Sequence, residues 1–100
     1  PAASLDTATL GSVYHELPDR QAYCAEIHRA LKPGGRVIIC DWRPLRPDED
    51  REAGPPNDHR VAVAQAAREL AAAGFVDPQI DETLPAMWIL TAFRKKPEKS

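Results

Sequence analysis

Hydrophobic and polar positions along the chain change period several times, and each change marks an element. Residues 5–13 (LDTATLGSV) mix Leu, Thr and Val with small residues and predict a strand. Pro18-Asp19 then supplies a helix start, with proline in the first turn and an acid near the positive end of the dipole. Tyr23, Ile27, Ala30 and Leu31 recur three and four apart, which predicts a helix over 18–31 with those residues as its apolar face. Lys32-Pro33-Gly34-Gly35 ends it, because proline lacks an N–H and the glycines allow a chain reversal. Val37 to Cys40 have no polar alternation, so the strand at 36–41 is expected to be buried on both faces, the habit of a parallel sheet. Strand, helix and strand in that space predict a right-handed βαβ unit.

Beyond Arg43 the periodicity stops, and residues 43–57, rich in proline and charge, predict a long loop of the kind that covers a ligand. A helix follows at 59–73, with Asp58 as expected N-cap, Gly74 as expected C′ residue, and Val63, Ala67, Leu70 and Ala71 as its packing face. Strands at 75–83 and 87–94 are separated by Leu84-Pro85-Ala86, too short for a crossover helix, so they must form an antiparallel hairpin. The fold class is therefore α/β.

Composition narrows the function classes. A formal charge of −2 gives no field that would gather nucleic acid or an anionic membrane. The basic stretch Arg94-Lys95-Lys96 reads as a solubilising end. No segment approaches a membrane span, and no leader pattern opens the chain, so a cytoplasmic protein is expected. Cys24 and Cys40 lack ligand neighbours at short spacing; two reduced thiols and no metal site are the expectation.

Parallel strands open their carboxyl ends on one rim, and α/β sheets bind ligands outside those ends. Gly11 to Leu17 and Asp41 to Arg60 should therefore face a common crevice. Gly11 and Ser12 would let a ligand approach the backbone, and Tyr14, His15, Glu16, Asp41, Trp42, His59 and Arg60 are the polar and aromatic groups on hand. Each has a plainer role. His15 could cap the following helix or bond to backbone, Tyr14 could be a wall residue, and Glu16 could pair with Arg20. Trp42 could pack beneath the loop, Arg60 could pin it, Asp41 could bond to neighbouring N–H groups, and His28 could be solvated.

Asp6 at a strand start, then Val13-Tyr14-His15-Glu16-Leu17-Pro18, then Ile27-His28-Arg29-Ala30-Leu31 running into Lys32-Pro33-Gly34-Gly35-Arg36, and a strand closing in Asp41-Trp42 carry a resemblance. With Gly54-Pro55-Pro56, His59-Arg60-Val61 and Leu70-Ala71-Ala72-Ala73-Gly74-Phe75, this order resembles the class I S-adenosylmethionine-dependent methyltransferases, from Leu5 to about Pro97. The resemblance implies a partial Rossmann-like sheet. The first strand here matches the family's fourth, and the hairpin its sixth and seventh. The family's glycine-rich cofactor loop and ribose-binding acid have no counterpart among the five glycines of this sequence. The chain thus looks like the carboxyl-terminal portion of one methyltransferase domain, with the amino-terminal cofactor-binding half absent.

By that resemblance Gly11 and Ser12 would lie near the cofactor, S-adenosylmethionine. His15 would be the catalytic residue, and Tyr14, Trp42, His59 and Arg60 would line the side of a small-molecule acceptor. The isolated portion would be inactive. It would also present a bare edge on its first strand, and is expected to be poorly stable or to dimerise there. Two other readings stay open: a nucleotide-binding α/β enzyme of another class, such as a dehydrogenase, and a non-catalytic remnant that serves as an interaction module.

Overall fold

The computed structural model describes residues 3–50 and 54–96. Its elements are β1 (Leu5–Gly11), α1 (Arg20–Ala30), β2 (Leu31–Trp42), α2 (Val63–Ala72), β3 (Phe75–Asp81) and β4 (Met87–Arg94), with single 3-10 turns at Tyr14–Glu16 and Asn57–His59. They form an α/β fold on one four-stranded sheet of order β1-β2-β4-β3. β1 and β2 are parallel, while β4 is antiparallel to both β2 and β3. The βαβ unit and the terminal hairpin are both present.

Element boundaries differ from expectation for local reasons. β1 stops at Gly11 because Ser12 turns into the left-handed region (φ 59°). α1 begins only at Arg20, since Asp19 is the N-cap and accepts from the Ala22 N–H at 3.0 Å. The helix stops at Ala30, where Leu31 is already extended, so Pro33 enforces a change that begins two residues earlier. From there β2 runs without a break through Lys32-Pro33-Gly34-Gly35, which bulge out: Leu5 pairs with Leu31, but Thr7 pairs with Arg36. Gly34 takes φ 83°, and a Cβ on Gly35 would lie 2.8 Å from the Lys32 carbonyl oxygen and 3.0 Å from that of Asp6. The bulge is packed against β1 too closely for any side chain at 35.

α2 starts at Val63, not 59, and Asp58 does not cap it. The 3-10 turn at Asn57–His59 takes up those residues, and the N-cap is Ala62, without a side-chain bond. Gly74 does follow the helix at φ 104°, its N–H bonded to the Ala71 carbonyl at 3.0 Å. In the hairpin, Asp77 at φ 54° makes a bulge, so that Val76 opposes Phe93 while Gln79 opposes Thr91.

Both helices pack together on one sheet face, over Val37, Ile39, Trp88, Leu90 and Ala92, with Cys24, Leu31, Ala66, Leu70 and Phe75 completing the core. Burial of each large apolar side chain contributes about 1.5–3 kcal/mol. The expectation that the 36–41 strand is buried on both faces is not met. Burial alternates, and Ile38, Cys40, Ile89 and Thr91 are only half-buried on the opposite face, where no helix of the described residues lies. On α1 the buried residues are Cys24 and the partly covered Ile27, while Tyr23 is exposed; on α2, Ala66 and Leu70 are buried and Ala71 is exposed. A difference of one position rotates each stripe by 100° and changes its members. His28 is half-buried and not fully solvated. It packs edge-on against Phe75, ring centroids 4.9 Å apart, and its burial, followed by the charge of Arg94, holds its pKa down.

Candidate functional site

The carboxyl ends of β1 and β2 open side by side, as parallel strands must. The register pairs Gly11 with Cys40, and the Ser12 N–H continues the ladder by donating to the Cys40 carbonyl at 2.8 Å. Gly11 is exposed, and a Cβ there would meet nothing within 4 Å. Ser12 holds a left-handed conformation that costs a non-glycine residue energy, the kind of strain that gathers at functional sites. The strand end is thus open backbone, with no side chain at Gly11 to obstruct a neighbour.

After Ser12 the chain makes its 3-10 turn, and its adjacent side chains find different partners. His15, its side chain only 5% exposed, lies against the end of β2. Its backbone N–H donates to Asp41 Oδ2 at 2.8 Å, and its ring Nδ1 lies 2.8 Å from Oδ1 and 3.0 Å from Oδ2. The Trp42 N–H donates to Oδ1 at 2.8 Å. Asp41 is wholly buried, the one buried charged residue among those described, and these bonds are what make its burial tolerable. The plainer reading of Asp41 is met, since it binds neighbouring N–H groups, whereas the His15 ring neither caps α1, which Asp19 does, nor bonds to backbone among the described residues. The ring contact adds something that neither reading contained.

Tyr14 points inward. It is fully buried, so it presents no surface to an acceptor, contrary to its expected place. Its hydroxyl donates to Glu69 Oε1 at 2.6 Å and lies 3.5 Å from Cys24 Sγ. Arg20 grips both oxygens of Glu69 at 2.8 and 2.9 Å, with its guanidinium carbon 5.7 Å from the Tyr14 ring centre. Glu16, expected to pair with Arg20, is exposed and stands 3.7 Å from His15 Nε2 instead. Burial, then the bond to Glu69, raises the Tyr14 pKa, so the phenol stays protonated. Arg20 above all, joined by Tyr14 and Gln65 and opposed by burial, holds Glu69 down to about 2.

The loop after β2 is fastened to the same rim. Arg60 donates to the carbonyls of Pro55 at 3.0 Å and Arg43 at 3.1 Å, and its guanidinium carbon lies 5.4 Å from the Trp42 ring centre. A Cβ on Gly54 would come within 2.7 Å of that ring. Trp42 therefore packs beneath the loop, and Arg60 pins it. Arg43 pairs with Glu49 at 2.6 and 2.8 Å, and the Leu45 N–H reaches Asn57 Oδ1 at 2.6 Å. Between this loop, α1 and the start of α2 lies a cleft of about 490 Å³, lined by His15, Arg20, Asp58, His59, Arg60 and Gln65 among others.

The structure therefore brings His15, His59 and Arg60 to one cleft, sets Gly11 and Ser12 at the adjoining strand end, tucks Trp42 under the loop and buries Tyr14. Sequence reasoning passed over Glu69 and Gln65 and did not connect Asp41 to the His15 ring. The available signal was a glutamate beside Leu70 on the packing face of α2, since a charge next to a buried stripe needs a partner.

A family model described as a methyltransferase domain matches residues 1–39. Over 48 residues the chain is 35% identical to demethylmenaquinone methyltransferase of Streptomyces griseus, an alignment covering 43% of this chain and 21% of that protein. Among solved structures, an S-adenosylmethionine-dependent methyltransferase from Aquifex aeolicus superposes with a TM-score of 0.81 at 23% identity, over 94% of this chain and 48% of its own. A protein from Sulfolobus solfataricus assigned as a type 11 methyltransferase superposes at 0.78 with 30% identity, over 100% of this chain and 56% of its own. The chain thus spans about a fifth of the curated relative and about half of each of these structures.

Proposed function

We propose that this chain, which resembles class I S-adenosylmethionine-dependent methyltransferases in sequence and in fold, supplies the acceptor side of such an enzyme and transfers a methyl group to a small molecule in the cytoplasm. The observation that carries the reading is the shared rim. β1 ends open at Gly11-Ser12, and three residues on His15, held by a buried carboxylate, lines the cleft.

The residues present fit part of a cofactor site. Gly11 leaves room at the strand end, and the strained Ser12 turns the chain away from it. S-adenosylmethionine, when bound, supplies an electrophilic methyl group and leaves as a neutral thioether. No glycine-rich phosphate-type loop or acid at ribose-binding distance occurs in the sequence, so full activity needs a further cofactor-binding half. Two features support such a partner. Among the described residues no helix covers the sheet face bearing Ile38, Cys40 and Ile89, and β1 forms an outer edge beside an apolar groove of about 270 Å³ between Leu5, Ala8, Leu10, Tyr23 and Ile27. Alone, the chain would dimerise by pairing β1 edges or remain poorly stable.

Within this chain the chemical work falls to His15. A methyl acceptor that carries a proton must lose it, and a histidine whose ring is already oriented can take it at Nε2. The loop pinned by Arg60 closes one wall of the cleft, which limits water around the acceptor. His59 and Arg60 stand on that wall as acceptor contacts.

Titration calorimetry on the full-length protein tests the reading. S-adenosylhomocysteine is expected to bind and NAD to give no heat; binding of NAD alone would replace the methyltransferase reading with a dehydrogenase-like one.

A further inference from the structure

We propose that Asp41 is a positioning residue that fixes the tautomer of His15 and leaves Nε2 as the atom that takes a proton from a protic acceptor. This rests on reading His15 as the proton acceptor. Both Asp41 oxygens already accept a backbone N–H, Oδ1 from Trp42 and Oδ2 from His15 itself, which marks the carboxylate as an acceptor throughout. The ring nitrogen facing it, Nδ1, must then carry the proton. The lone pair is left on Nε2, 3.7 Å from the exposed Glu16, on a side chain that lines the cleft and is 5% exposed.

The arrangement exceeds what loop anchoring requires. Two backbone N–H bonds would fasten residues 12–17 to the end of β2, and the ring bond adds nothing to that connection. It does select one of two imidazole tautomers and hold the ring plane, as a carboxylate does wherever a histidine has to act from its far nitrogen. Asp41 can do so because its place near the end of β2 puts it under the helix-covered face with no water to compete for its oxygens. Glu16 of its own turn stands near the ring, and the other charged groups that share the cleft with His15 come from different elements: Arg20 from α1, and Asp58, His59 and Arg60 from the segment before α2. None of the hydrogen bonds between described side chains places one of them on Nδ1; Asp41 alone occupies that side.

In the step this permits, the O–H, N–H or S–H bond of the acceptor breaks and its proton moves to Nε2. The electron pair stays on the acceptor atom for the new bond to carbon. A dyad built to accept a proton would be idle toward an acceptor with none to lose, such as a thioether or a tertiary amine.

Nitrogen-15 NMR of the His15 ring in the full chain, assigned with His15→Gln, reads the tautomer directly and needs no cofactor. At a pH where the ring is neutral, the proton is expected on Nδ1. In Asp41→Asn, whose carboxamide can donate to Nδ1, the tautomer ratio is expected to invert toward Nε2–H. A wild-type ring protonated on Nε2, or an Asp41→Asn ring still protonated on Nδ1, would overturn the proposal. If the Asn variant does not fold, the wild-type tautomer decides alone. Failure of S-adenosylhomocysteine to bind would sink the methyltransferase reading while leaving this result standing, so the two failures are distinct.

Discussion

Tyr14 donates its buried hydroxyl to Glu69, a residue 55 positions later, at 2.6 Å. That bond joins the turn after β1 to the middle of α2, and Arg20 locks the same carboxylate from α1. The three groups make one unit that holds both helices in place beneath the cleft.

Tyr14→Phe keeps the ring and removes the donor. Because Arg20 still satisfies Glu69, the expected loss is about 1–2 kcal/mol. Glu69→Ala strands both the phenol and the guanidinium, and a larger loss of about 2–3 kcal/mol is expected, moderated by the part-exposure of Arg20. Urea denaturation of both variants checks the order; equal losses would show that the Arg20 pair adds nothing to the bond between Tyr14 and Glu69.

Acid should weaken the same unit. Glu69 is held near 2 against an ordinary 4.5, chiefly by Arg20. A lowered folded-state value means that the ionised form stabilises the fold. The contribution is complete above pH 4.5 and is lost as pH falls through about 2. The stability difference between wild type and Glu69→Gln should therefore shrink across that window. Glu49, held to about 2 mainly by Arg43, titrates in the same range in both proteins and cancels in the difference.

Gly35→Ala tests the bulge. Its new Cβ would meet two backbone oxygens, at 2.8 and 3.0 Å, and backbone cannot move aside as a flexible side chain can. A loss of about 1–3 kcal/mol is expected, seen as a clear drop in Tm. An unchanged Tm would mean that β1 and the bulge separate without cost.

Trp88→Phe probes the floor of the sheet. The Trp88 ring is 1% exposed, and its Nε1–H donates to the Val61 carbonyl at 2.9 Å just ahead of α2. Phe leaves that carbonyl unpaired and a small void, so a loss of about 2–3 kcal/mol is expected in calorimetric unfolding.

Local rules made the strands, both helices and the hairpin legible, since β-branched runs, Pro33, Gly74 and the short Leu84–Ala86 link each act within a few residues. Even so, the start of α2 was hidden. Asp58 looks like a cap, yet Pro56 and the turn at Asn57–His59 move the helix four residues on. The rim was legible as topology, because parallel strands need a common open end. The partners on it were not. His15 and Asp41 meet only through the β1–β2 register, and the inward turn of Tyr14 depends on Arg20 and Glu69, which come from two different helices.

β4 is the last strand among the described residues and yet occupies the middle of the sheet, flanked by β2 and β3. Its Arg94 also donates to the carbonyls of His28, Arg29 and Leu31, at the far end of α1. During synthesis, then, β3 has no strand to pair with, and β2 only β1, until residues 87–94 leave the ribosome. The nascent chain must wait with an unfilled slot, and a ribosome stalled before that point would hold a domain that cannot close.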